Sequence, residues 1–295
     1  MGFSLKLAQM ELARHYKLSV GAKTLDLSAR THIMGILNVT PDSFSDGGEY
    51  FEPDRAIARG MELARQGADI IDVGAESTRP GAEPISAEEE IARLLPVIRG
   101  LANLVDVPIS VDTYKAPVAE AALHAGANMI NDISGLRFDP DMKFVVARFQ
   151  VPVVLMHIKG QPKNMQQDPH YDDVIGEICD YLAESIEMAL AAGIPRDRII
   201  IDPGIGFGKR LMDNYEIIRR LKEFSRLECP ILVGPSRKSF IGKVLNLPPD
   251  QRLEGTIAAV VVAIQNGAHI IRVHDVLPMV RACQIADRLV GKIAV

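Results

Sequence analysis

The sequence predicts a (β/α)8 barrel, the TIM fold, capped by an N-terminal β-hairpin. Three observations carry the prediction. Short apolar, β-rich runs and helix-period stretches follow one another in strict alternation, with eight candidate strands in one chain. Several of those strands are apolar throughout, as strands covered on both faces are. The length that follows the hairpin also matches the roughly 250 residues that such barrels use. A doubly wound open sheet is the alternative that the same alternation allows.

In chain order, residues 15–28 (HYKLSVGAKTLDLS) alternate about Gly21 and Ala22 and read as the hairpin. Strands are expected at 33–38, 69–74, 108–112, 128–133, 151–156, 198–203, 230–234 and 268–273. Helices are expected at 54–66, 87–102, 115–125, 172–192, 213–224, 252–267 and 277–290, and SRKSFIG reads as a loop entering a further short helix. Ser86 followed by Glu89 resembles a capping box. A repeated phrase, seen in QGADIID, AGANMIN and NGAHIIR, ends a helix with Gly and starts a strand two residues later. No Pro/Gly/Ser-rich linker, charge tract or low-complexity segment interrupts the chain. One domain over 1–295 is therefore expected, with the hairpin segment in 1–30 and the barrel in 31–295.

Composition narrows the function. An apolar fraction of 47% with 24% charged residues supplies a large core in an ordinary water-soluble chain. A net charge of −5 without blocks of like charge argues against a general nucleic-acid surface. The three cysteines, Cys179, Cys229 and Cys283, are scattered, which excludes a disulfide framework and a Cys-based zinc site and fits a cytoplasmic protein. No apolar run is long enough to span a bilayer. Charges interrupt the first residues before a signal-like segment can form, and Lys6 stands where a myristoylation site needs Ser or Thr. Asn38-Val39-Thr40 matches the glycosylation triplet, but nothing else points to secretion.

In a barrel the loops after the strands build the active site. Here those positions carry Asn38; Glu76 to Arg79; Asp112; Asn131 and Asp132; His157; Asp202; Ser236 to Ser239; and Arg272, His274 and Asp275. Any one of them can be a helix cap or a rim ion pair. Together, Asp112, Asn131 and Asp202 suit a flat heterocycle with a guanidine-like N–H edge, because a carboxylate accepts two parallel N–H bonds. Arg79, Arg237, Lys238, Arg272 and His274 suit phosphate and carboxylate groups. GIGFGKR is neither a Walker loop nor G-x-G-x-x-G, so its glycines read equally as a tight turn or a ligand loop. His157 reads equally as a structural hydrogen-bonder or a catalyst. No His/Asp/Glu spacing suits a tight transition-metal site, whereas a lone Asn beside phosphates suits Mg²⁺.

The stretches IMGILNVTPDSFSDGG, DVGAESTRPGA, SVDTYK, INDISG, DPGIGFGK, GPSRKSFIG and RVHDV resemble, in order and over residues 33–276, the signature stretches of the dihydropteroate synthase family. The resemblance implies condensation of a (7,8-dihydropterin-6-yl)methyl diphosphate with 4-aminobenzoate, giving 7,8-dihydropteroate and pyrophosphate. It implies catalytic roles for Asn38, Asp46, Lys238, Arg272 and His274, with Asn38 on Mg²⁺. The pterin diphosphate would meet Thr78, Asp112, Asn131, Met156, Asp202, Lys238, Arg272 and His274, with Asn38 also at the diphosphate. 4-Aminobenzoate would meet Arg79, Pro80, Phe207 and Ser239, and sulfonamides would compete there. The loop from Thr40 to Gly48 would act as a lid that excludes water from a pterin-stabilised methylene cation. A homodimer is implied as well, and the helix around 255–267, apolar nearly all round, agrees. Two positions depart from the family pattern, Pro235 and the SGL of Ser134 to Leu136. The alternatives of another class are a methyltetrahydrofolate–corrinoid methyltransferase, which would not need the basic SRKS and RVHD pair, and a non-catalytic pterin-binding homologue.

Overall fold

The computed structural model describes residues 15–40 and 53–292. The hairpin forms as expected from β1 (Lys17–Val20) and β2 (Lys23–Asp26), antiparallel with Val20 opposite Lys23 across the Gly21-Ala22 turn. Eight parallel strands follow: β3 (His32–Asn38), β4 (Ile70–Gly74), β5 (Ile109–Asp112), β6 (Met129–Asp132), β7 (Val153–Met156), β8 (Ile199–Asp202), β9 (Leu232–Val233) and β10 (Ile270–Val273). They pair in the order β8-β7-β6-β5-β4-β3-β10-β9. A parallel bridge between Ile201 and Ile231 joins the two ends, so the sheet is a barrel and not the open doubly wound alternative.

The helices around it are α1 (Pro53–Arg65), α2 (Ala87–Ala102), α3 (Ala116–His124), α4 (Met142–Phe149), α5 (Val174–Ala191), α6 (Leu211–Arg219), α7 (Ser239–Leu245), α8 (Leu253–Gln265) and α9 (Val276–Leu289). Ser86 caps α2 by accepting from the Glu89 amide at 3.2 Å, while the Glu89 carboxylate pairs with Arg93 instead of completing the box. Among the described residues, α4 is the one α-helix that the helical period does not predict. It is short, and its apolar positions merge with the following strand, so its period is hard to see. The recurring Gly-Ala phrase works as expected at the end of α1. Gly67 takes φ +100°, letting the Ala68 amide reach back to the Leu63 carbonyl at 3.0 Å.

The strand sequences explain the interior. Outward positions such as Ile71, Val73, Ile109, Val111, Ile199, Ile201, Ile271 and Val273 pack against the helices. The lowest inward positions, Met34, Ile70, Met129, Val154, Ile200, Leu232 and Ile270, form a second apolar cluster with Leu18 and Val20 of the hairpin. The hairpin thus plugs the N-terminal end of the barrel. Two residues further along, the inward side chains become Asp72, Asn131, Met156, Asp202 and Arg272. A polar layer therefore lies directly on an apolar floor.

Candidate active site at the barrel mouth

Arg272 sits at the centre of this layer. Its Nε donates to Asp72 Oδ2 at 2.6 Å and its Nη2 to Asp112 Oδ2 at 2.6 Å. Asn131 Nδ2 also donates to Asp72 Oδ2, at 3.0 Å, so the Asn131 carbonyl oxygen is turned away from that bond. Asp112 Oδ1 and Asp72 Oδ1 are buried without a partner among the described residues. Across the barrel, Asp202 Oδ1 accepts from the Gly204 amide at 2.7 Å. The Lys238 ammonium lies 3.9 Å from the centre of the Phe207 ring. Gly206, at φ +82°, lets the chain pass the Lys238 stem, since a Cβ there would stand 3.1 Å from Lys238 Cδ. The GIGFGK glycines thus form a tight turn packed against Lys238.

Electrostatics follow from burial. Desolvation holds the Asp112 carboxyl well above the usual range despite the nearby Arg272 guanidinium, and raises Asp202 to about 6. Burial, with Arg272 nearby, lowers Lys238 to about 8. His274 is lowered to about 3 by burial and then by Arg272, so its imidazole is neutral near pH 7. Ser236 Oγ lies 2.9 Å from His274 Nδ1 and accepts from the His274 amide at 3.2 Å, which holds the ring in place.

Comparison with known proteins agrees with this geometry. Residues 34–274 match the family model for pterin binding enzymes. The chain is 49% identical to the dihydropteroate synthase of Synechocystis sp. over 92% of its own length and 94% of that protein. The chain belongs to the dihydropteroate synthase family. Yersinia pestis dihydropteroate synthase, solved as a sulfonamide drug complex, superposes with a TM-score of 0.88 at 48% identity, over 93% of this chain and 99% of that one. Xanthomonas albilineans dihydropteroate synthase, solved with 4-aminobenzoic acid, gives 0.87 at 45% identity, over 94% and 98% of the two chains. The protein is a transferase of folate biosynthesis that condenses the dihydropterin methyl diphosphate with 4-aminobenzoate.

Among residues expected from the dihydropteroate synthase signatures, Asp112, Asn131, Met156, Asp202 and Arg272 line the inward layer and Phe207 packs on it. Met156 and Phe207 join Ile133, Ile158, Met165, Tyr114 and Phe138 in one apolar wall. Thr78, Arg79 and Pro80 lie on the loop after β4, half-buried to exposed, and Ser239 is the exposed first residue of α7. Asn38 ends β3 opposite Gly74. Asp46 and residues 41–48 of the proposed lid lie outside the described residues.

Several expectations change. Arg237 does not join the phosphate group: its Nε and Nη2 are spent on Asp275 at 3.0 and 2.5 Å, from a backbone at φ +58°. Arg272 lies between carboxylates in the floor, with Nε on Asp72 and Nη2 on Asp112. His157 is structural, its Nδ1 2.7 Å from the buried Lys209 Nζ and its amide donating to the Asp202 carbonyl at 3.0 Å. Asp132 caps its own turn through the Ser134 and Leu136 amides, each at 2.8 Å. Leu136, in the departing SGL stretch, takes φ +69°, a left-handed backbone that usually favours glycine. Asp72 is not at a strand end, so strand ends do not point to it; its place two positions beyond the inward Ile70 is the signal the sequence offers.

Proposed function

We propose that Asp112, Asn131, Asp202 and Lys238 hold the dihydropterin in the barrel mouth, and that the reaction takes place directly above them. The observation that carries this reading is the pair of carboxylates at one mouth, the buried Asp202 and the half-buried Asp112, whose buried Oδ1 is unpartnered among the described residues. A buried acceptor of that kind matches an N–H-rich heterocyclic edge, and a site built for such bonds discriminates strongly against ligands that lack them. Met156 and Phe207 supply flat apolar walls for the ring. Arg79, Pro80, Phe207 and Ser239 would receive 4-aminobenzoate. The C–O bond to the diphosphate breaks first, the amine attacks the resulting methylene cation, and the proton that the new ammonium loses passes to the departing pyrophosphate or to water. The amine is neutral at physiological pH, so no strong general base is required. Thr78, Arg272 and the neutral His274 would hydrogen-bond the diphosphate, which leaves as pyrophosphate. Asp46 and the loop around it would cover the site.

Asn38 fits Mg²⁺. It offers one hard carboxamide oxygen at the mouth, and no group of three His, Cys, Asp or Glu among the described residues forms a cage for a metal. Mg²⁺ takes most of its ligands from water and substrate phosphates, so a single protein oxygen suffices. When bound, the ion supplies charge neutralisation for the departing diphosphate.

The sulfonamide and 4-aminobenzoic acid of the relatives' structures support one further assignment, and the exposed apolar faces of two helices a second. A sulfonamide would compete with 4-aminobenzoate for the Arg79–Ser239 pocket, giving competitive inhibition; non-competitive inhibition would move that pocket elsewhere. The protein would pair as a homodimer through α8 and α9, whose outer faces leave Val262, Leu277, Ile285 and Leu289 38%, 39%, 61% and 78% exposed. Among the described residues no helix is long and apolar enough to cross a membrane, and the three cysteines are unpaired and buried, which supports work in the cytoplasm. Pyrophosphate release tests the whole reading. Release that needs both 4-aminobenzoate and Mg²⁺, with dihydropteroate formed in equal amount, is the expected result. Release indifferent to either refutes it.

A further inference from the structure

The loop that carries Thr78, Arg79 and Pro80 is tied at its neck by a buried ion cluster that the chemistry above does not use. The loop leaves β4 after Gly74 and re-enters helix at Ala87. Lys115, from the turn between β5 and α3, reaches across to it. The Lys115 ammonium donates to Glu76 Oε2 at 2.6 Å, to the Ile85 carbonyl at 2.7 Å and to Glu90 Oε2 at 2.7 Å. Glu76 is at the start of the loop, Ile85 is at its end, and Glu90 lies in the first turn of α2. Glu76 also accepts from the Ile85 amide at 2.9 Å, so the two ends of the loop are bonded to each other as well as to Lys115. Its second oxygen accepts from the Tyr114 hydroxyl at 2.6 Å. The side chains of Lys115, Glu76 and Glu90 are 15%, 6% and 1% exposed.

We infer that Lys115, Glu76 and Tyr114 are positioning residues for 4-aminobenzoate: they set where the tip of this loop stands over the pocket. The inference rests on the assignment of Arg79 and Pro80 to that pocket. Two features make the cluster more than a fold contact. The Lys115 ammonium gathers acceptors from both ends of one loop, which closes the neck and leaves only the tip, Thr78 to Glu83, to be placed. Tyr114 belongs both to this cluster and to the apolar wall that contains Met156 and Phe207, so the same side chain couples loop placement to the pocket. The tip has fewer ties of its own, among them the Gly81 amide donating to the Pro162 carbonyl at 3.1 Å and Glu83 meeting Lys163. Without the neck, closing the loop would cost entropy that each 4-aminobenzoate binding event must supply. Asp112 of the pterin floor ends β5, the strand that leads into Tyr114 and Lys115, but among the described residues no hydrogen bond joins Asp112, Asn131, Asp202 or Lys238 to Lys115, Glu76 or Tyr114.

Steady-state kinetics on the full-length protein tests this, with pterin binding measured by titration and amide exchange followed in residues 75–86. Lys115→Met removes three bonds, two of them to carboxylates, and should raise the KM for 4-aminobenzoate at least about tenfold, the factor to which one charge-assisted bond corresponds. The pterin Kd should stay within about twofold, kcat at saturation should be retained, and exchange should quicken in the loop alone. Lys115→Arg should recover part of the KM. Tyr114→Phe removes one bond without stranding a charge, and should give a smaller rise in the same direction even if Lys115→Met folds poorly. Arg79→Ala and Phe207→Ala serve as controls on the pocket. If they raise the KM and neither Lys115→Met nor Tyr114→Phe does, the positioning role is overturned and the pocket stands. If they leave the KM unchanged, the pocket assignment fails and the inference falls with it. A proportionate loss of pterin affinity in Lys115→Met and Tyr114→Phe also overturns it, because that is the signature of general loosening.

Discussion

Asp72 should be the most consequential residue in the barrel that touches neither proposed substrate. It is fully buried and accepts two bonds, one from Arg272 at 2.6 Å and one from the Asn131 amide at 3.0 Å. Asp72→Ala removes both. Breaking a buried ion pair costs about 3–5 kcal/mol when the remaining charge is stranded. Arg272 keeps Asp112 at 2.6 Å, so the lower end, about 3 kcal/mol, is the appropriate figure. For a domain of this size that corresponds to a fall in melting temperature of roughly 5–10 °C. Pterin affinity should fall as well, because Asn131 loses the bond that fixes which end of its amide faces the mouth and Asp112 gains sole hold of Arg272. Ser110→Ala is the internal control. Ser110 pairs with Asp72 in register and its hydroxyl is equally buried, but it has no partner among the described residues. Its loss should be neutral or stabilising. Thermal melts and pterin titrations on the two variants decide the matter. An Asp72→Ala protein that melts within about 2 °C of the parent and binds pterin equally well would refute the reasoning.

Further expectations concern pH, Arg272 and assembly. Asp202, held at about 6 against an ordinary value of 3.8, is protonated more readily in the folded, unliganded protein than in the unfolded chain, so its contribution to stability is present at low pH and is lost as pH rises from about 4 to about 6. Asp202→Asn should therefore raise unliganded stability at pH 8 while abolishing pterin binding, and denaturant unfolding with and without pterin measures both. If the proposed pterin contacts use the ionised Asp202, pterin binding should weaken below pH about 6 and release protons there; calorimetry in buffers of different ionisation enthalpy would show no proton release if the carboxylates are not ligands. Arg272→Lys keeps the charge but cannot span Asp72 and Asp112 as a planar fork. It should cost pterin affinity about tenfold or more, and an unchanged Kd would remove Arg272 from the floor. Leu289→Asp with Ile285→Asp should shift sedimentation from dimer to monomer; a monomer in the parent protein would dispose of the proposed interface.

Much of this protein is determined locally. Apolar runs such as RIIIDP and AHIIRV, with Gly ending the preceding helix in QGADIID, encode strand after helix whatever surrounds them, so the barrel and its plugged end are legible along the chain. Asp112, Asn131 and Asp202 are legible as inward polar residues at strand ends, although Asp132, His157 and Arg237 stand at strand ends as well and have structural partners, and Lys238 joins the pterin set only through the family resemblance. What the chain order could not reveal is which polar groups use up one another. Arg237 turns to Asp275, His157 to Lys209, Asp132 to its own turn, and Arg272 to two carboxylates on strands far away in sequence. Asp72 and the Lys115 cluster likewise acquire meaning only when strands and loops distant along the chain meet. The physical reason is one of range. Backbone preference and hydrophobic period act over a few residues, whereas pairing, desolvation and the pKa shifts they cause depend on neighbours that only the closed barrel brings together.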